Sequence, residues 1–117
     1  MASSIKLQQV IKSINSFEKL VDIKKYIPVK NKLALTDEYN RLLQEHINDF
    51  ENQQFYVSYV FLRMIIVKGY TNIDFEYIYD DYDILEEYGI IDKILKIAET
   101  DCEVLIKVIS SSNSNER

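Results

Sequence analysis

Residues 55–70, "FYVSYVFLRMIIVKGY", decide the fold class. Ser58, Arg63 and Lys68 are the polar breaks in a segment that is otherwise apolar on nearly every side at helical spacing. A helix of that kind is packed on several sides, so the segment predicts a central helix over Phe55–Lys68. Its longest apolar run, "VFLRMIIV", is interrupted by Arg63 and falls far short of a membrane span. Lys68 suits the negative end of the helix dipole, and Gly69 is the expected stop.

Upstream, residues 31–50, "NKLALTDEYNRLLQEHINDF", predict a second helix. Leu35, Tyr39, Leu42, Leu43, His46 or Ile47, and Phe50 recur at three- and four-residue steps. Asp37, Glu38, Arg41 and Glu45 take the other side, with Asp37–Arg41 in the favourable i,i+4 order. Asn52 is placed to cap the central helix. Residues 20–29, "LVDIKKYIPV", read as an extended connector or short strand, with Pro28 near the start of the next helix. Residues 5–15 put Leu7, Val10, Ile11 and Ile14 on one helical face, and a short strand over residues 4–10 is the competing reading.

Downstream, "YTNID" reads as a turn. A helix is expected from Phe75 or Tyr79 to Tyr88, closed by Gly89. "IIDKILKIA" follows as a short helix, and Thr100 with Glu103 matches a capping box ahead of "CEVLIKVI". Residues 110–117, "SSSNSNER", read as a disordered polar tail. The expected fold is all-α: one compact domain over residues 1–109, with about four to six helices around the central apolar one. A short N-terminal strand is the variant of that fold.

Composition agrees. Two glycines and one proline in 117 residues are too few for the turns of an all-β domain. The net charge of −5 argues against direct nucleic-acid binding, because Lys24-Lys25 and Lys30/Lys32 are the closest approach to a basic cluster. The single cysteine, Cys102, admits no intrachain disulfide and suits a reducing compartment. The N-terminus "MASSIKLQQVIKS" lacks the apolar core of a secretory signal, so a cytoplasmic location is expected.

No catalytic, metal or cofactor set emerges. His46 is the one histidine, so neither a triad nor a zinc set can be assembled around it. Cys102 sits among Glu99, Asp101 and Glu103, whose charges raise a thiol pKa rather than activate it. With Asp81 at position one of a calcium loop, Leu85 falls at position five and Glu86 at position six, where glycine is needed. The dense acids lie on one short segment, and one helix cannot form both walls of a glycosidase cleft.

What remains is "NIDFEYIYDDYDILEEYG", Asn72–Gly89, with seven acids and four of the nine tyrosines. Ile78, Tyr82, Leu85 and Tyr88 or Gly89 share a helical face, and the carboxylates point elsewhere. Tyrosine is favoured at interfaces, so Tyr77, Tyr79, Asp80, Asp81, Tyr82, Asp83, Glu86 and Glu87 are the candidate protein-interaction residues. The plainer alternative is an amphipathic helix laid on the core.

Three stretches in order carry a resemblance: "IKKYIPVKNKLAL" (Ile23–Leu35), "VKGYTNIDF" (Val67–Phe75) and "YDILEEYGIIDKIL" (Tyr82–Leu95). Their order and spacing resemble a family of small bacteriophage proteins encoded among the virion-morphogenesis genes of phages that infect low-GC Gram-positive bacteria. The chain departs from that pattern where "EYIYDDY" replaces a Lys/Gln-rich stretch, and in its shorter C-terminus. The resemblance implies a non-enzymatic protein of virion assembly, such as a tail-assembly chaperone or a small head or neck component. It implies phage morphogenesis proteins as partners, and the host cytoplasm or the virion as the location. It supplies no active-site residues. The alternative is an acidic phage inhibitor of a host nucleic-acid enzyme, an anti-CRISPR or nuclease inhibitor acting by nucleic-acid mimicry. That alternative requires Glu76, Asp80, Asp81, Asp83, Glu86 and Glu87 to form one continuous exposed patch without interrupting bases.

Overall fold

The computed structural model describes residues 4–114, with helices dominating and one short two-stranded sheet. Strand β1 (Ile5–Lys6) leads into α1 (Leu7–Lys12), a 3₁₀ turn (Ile14–Ser16) and α2 (Phe17–Leu20). Helices α3 (Val29–His46) and α4 (Gln54–Tyr70) follow, then strand β2 (Ile73–Asp74). Helices α5 (Ile78–Glu87), α6 (Ile90–Ile97) and α7 (Glu99–Ser114) complete the chain.

Helix α4 is the centre. Val57, Val60, Phe61, Met64, Ile65, Ile66, Val67 and Tyr70 are all buried on it, on more than one side of the helix. Leu35 and Tyr39 of α3 meet one side. Leu85 of α5 and Ile90, Ile91 and Ile94 of α6 belong to the same buried cluster, as do Leu105 and Ile109 of α7. Leu42 and Leu43, on the periodic face of α3, pack against the core while partly open to solvent.

Both N-terminal readings apply, to different residues. Ile5–Lys6 pair with Ile73–Asp74 in parallel, and the helix begins immediately after at Leu7. The "YTNID" turn is therefore corrected: it carries β2 and anchors distant segments. Ile5 N–H donates to the Asn72 carbonyl at 2.9 Å, Ile23 bridges Thr71, and Asp22 N–H donates to Asn72 Oδ1 at 2.9 Å. Strands of two residues are too short to leave a period-two pattern, which is why the sequence hides them.

Several boundaries also move. Pro28 is the N-cap of α3, which starts at Val29 and ends at His46 rather than reaching Phe50. Asn52 does not cap α4: it sits at φ 60°, a left-handed turn that asparagine tolerates, and Gln53 takes the cap position. Gly69 does not end α4, which continues through Tyr70. Its missing side chain instead makes room for Leu35, because a Cβ there would collide with Leu35 Cδ1. Gly89 is the stop, at φ +66° between α5 and α6. Thr100 lies inside the first turn of α7 rather than at its cap, and Arg41 pairs with Glu45 at 3.0 Å rather than with Asp37. Helix α7 runs to Ser114, so residues 110–114 of the expected tail are helical. Residues 115–117 lie outside the described residues.

A buried polar network ties the α2–α3 connector to α7. Asp101 Oδ1 meets Lys32 Nζ at 2.9 Å, and its Oδ2 accepts from Tyr70 OH at 2.7 Å and from Ile27 N–H at 3.0 Å. Lys32 Nζ also donates to the Ile27 carbonyl at 2.6 Å. Every charged or polar side chain of this network finds a partner within it, as burial demands.

Candidate protein-interaction surface

The candidate residues sit on α5, and the helix sorts them into three groups. Tyr82 and Leu85 face the core. Asp81 joins them there, against expectation, because its Oδ2 accepts the backbone N–H groups of Glu76 and Tyr77 at 2.9 and 3.2 Å. It tethers the start of its own helix, where unpaired N–H groups and the dipole favour a carboxylate. Asp81 is thus withdrawn from the exposed acidic ridge of the helix.

The second group faces α4. Tyr79 packs between Phe50 and Phe61, with ring centroids 5.0 and 5.8 Å away, and its hydroxyl donates to Asp49 at 2.9 Å. Burial, and then that hydrogen bond, push its pKa up to about 12. Asp49 is held below the usual carboxylate range by its contacts with His46 and Tyr79. Tyr82 stands edge-on to Tyr59 at 6.5 Å and donates to Glu86 at 2.9 Å. Burial, followed by the Glu86 carboxylate, raises the Tyr82 pKa above the tyrosine range. Glu86 in turn faces Arg63 at 3.3 Å, and Arg63 reaches Asp92 at 3.5 Å while lying over the Tyr59 ring. These contacts fasten α5 to α4 and α6.

The third group faces outward. Asp80, Asp83 and Glu87 recur at helical spacing on the exposed ridge of α5, and Tyr77 precedes them with 66% of its surface open. Glu76 is exposed beside them. The six-carboxylate patch required for nucleic-acid mimicry is therefore broken: Asp81 is buried, and Glu86 is paired with a base.

Both flanks of the ridge carry apolar surface that has no signature in the sequence. On one flank a pocket of about 290 Å³ is lined by Leu7, Ile11, Ile84 and Tyr88, together with the polar Gln8, Asp81 and Glu87. On the other, Tyr59 of α4 meets Tyr82, and the first turns of α4 leave Tyr59, Tyr56 and Phe55 exposed, the last with 83% of its surface open. This corrects the expectation that those turns lie inside the core. Their apolar composition matches that of the buried turns, so hydropathy alone does not separate them. The pocket forms because the β1–β2 pairing brings α1 alongside α5, a contact with no local signature.

Among the described residues, no helix is long and apolar enough to cross a membrane, and no group of three or more His, Cys, Asp or Glu is placed to hold a metal ion. No family model, curated protein or solved structure matches the chain.

Proposed function

We propose that the chain is a non-enzymatic protein-interaction module that docks a basic partner segment along α5. The observation that carries this reading is the pairing of the Asp80–Asp83–Glu87 ridge with the pocket under Ile84 and Tyr88. Interfaces draw most of their affinity from apolar or aromatic anchors seated in pockets, and their charged rims set specificity and approach rate. A segment with Lys or Arg residues around one apolar anchor fits both features. The order of the three sequence stretches supports placing this module in bacteriophage virion assembly, with a morphogenesis protein as the partner. On that reading the chain works in the host cytoplasm or in the particle.

Affinity capture tests the proposal. The full chain is immobilised as wild type and as D80K/D83K/E87K, and exposed to lysate of phage-producing cells. A basic morphogenesis protein retained by the wild type and lost from the variant is the expected result. Equal retention on both columns would overturn the docking face. Mass spectrometry of purified particles then tests location, and the assembly role fails if the captured partner is a host enzyme instead.

A further inference from the structure

A different surface, the groove between α3 and α7, carries the features of a self-association face. Two side-chain contacts set the helices parallel. Lys32 meets Asp101 at 2.9 Å near their N-terminal ends, and Asn40 Nδ2 meets Ser112 Oγ at 3.2 Å further along. Between them runs an open groove of about 570 Å³, with Asp37 on the α3 wall and Lys107 on the α7 wall. The two cross-contacts place these residues at the same level. Both are exposed, and neither has an ion-pair or hydrogen-bond partner among the described residues. One turn towards the N-terminal ends, Leu33 and Val104 face solvent with 52% and 46% of their surfaces open. Val29, also exposed, continues the apolar stripe.

We infer that a second copy of the chain covers this groove, related by a two-fold axis that runs along it between α3 and α7. Such an axis keeps every residue at its own level and exchanges the two walls. Each Asp37 then faces Lys107 of the second copy, and each Leu33 faces Val104 of the second copy. The contacts occur twice, as an isologous interface requires, and the four helices run parallel. A uniformly basic or acidic peptide does not match the groove, because one wall charge would then oppose a like charge. Contiguous exposed apolar patches rimmed by polar residues mark association surfaces, and Val29, Leu33 and Val104 beside Asp37 and Lys107 have that composition. None of these residues belongs to the α5 face, so the two proposals fail independently.

Sedimentation equilibrium on the full chain tests the dimer, with circular dichroism as the check on folding. The wild type is expected to dimerise. D37K sets a second positive charge against Lys107, and K107E sets a second negative charge against Asp37. Each single variant should therefore weaken dimerisation by about tenfold or more. In a mixture of the two variants, every facing pair again joins opposite charges, so mixing should restore dimers. The double variant D37K/K107E should self-associate as well. A wild type that stays monomeric at every concentration overturns the inference. So do single variants that dimerise unchanged, or a mixture that fails to recover association.

Discussion

Lys32 and Asp101 are joined at 2.9 Å with their side chains only 4% and 9% exposed, and this pair anchors α3 to α7 while both members also hold Ile27 in the connector ahead of α3. Removing one member leaves the other as an uncompensated buried charge, at a cost of roughly 3–5 kcal/mol. Asp101→Leu should be the worse of the two single changes, because it also strips Ile27 N–H and Tyr70 OH of their acceptor. Lys32→Met leaves those two bonds in place. The double variant should lose less than the sum of the singles, since the pair is coupled. Urea unfolding of the four proteins measures the cycle, and strict additivity would contradict the coupling.

The same carboxylate sets an acid limit. Burial works to raise the Asp101 pKa, but hydrogen bonds from Lys32, Tyr70 and the Ile27 amide outweigh it and hold the value below the ordinary 3.8. A depressed folded pKa means that the unfolded chain binds the proton more readily. The stabilisation is therefore complete above the ordinary value and lost as pH falls through the lower folded one. Asp49 shifts in the same direction. Unfolding midpoints should start to drop below about pH 5 and go on falling as the pH passes the depressed folded values. Asp101→Asn should flatten part of that fall, and an unchanged slope would remove Asp101 as its source.

The two glycines should respond to alanine for different reasons. In an open helix, alanine gains roughly 1 kcal/mol over glycine. At Gly69 the new Cβ collides with Leu35, and overpacking of roughly 1–3 kcal/mol turns that gain into a loss. Leu35→Val should recover part of it, because the shortened side chain withdraws the colliding carbon. At Gly89 a Cβ meets nothing within 4 Å, yet φ is +66°. The cost there is conformational, roughly 1–2 kcal/mol, and Gly89→Asn should lose less than Gly89→Ala. Thermal melts rank these variants. A G69A protein that melts above the wild type would show that α3 yields.

Cys102 should be silent in the folded protein. It is 2% exposed, and burial pushes its thiol up to about 11, with Asp101 adding to the rise while Tyr70 and Lys32 oppose it. Little thiolate exists at neutral pH, and a reagent cannot reach it. Labelling by a disulfide reagent should be slow in buffer and complete in denaturant. Rapid labelling in buffer would contradict this burial.

Much of the architecture is legible in the residues themselves. The apolar run over residues 55–68 and the periodic apolar residues of 31–50 predict helices, because packing a helix on a core imposes a 3.6-residue period that survives in the sequence. The Gly89 stop is equally legible, since a left-handed position selects for glycine. On α5 the period places Tyr82 and Leu85 inside and Asp80, Asp83 and Glu87 outside, as observed. It misplaces Asp81, since a carboxylate that accepts two backbone N–H groups looks, in sequence, like any other acid of the ridge.

The sequence by itself thus determined the helical class, the central helix and the acidic outer ridge of α5, all of which follow from local periodicity. The tertiary structure alone decided the rest. It paired Ile5–Lys6 with Ile73–Asp74, which closes the pocket between α1 and α5. It exposed Phe55 and Tyr59 at the start of a helix whose later turns carry most of the buried core. It brought Asp37 and Lys107 into the lining of one groove between α3 and α7. The strand pairing and the groove depend on contacts between residues about 70 positions apart, and a contact at that separation leaves no period in a single chain.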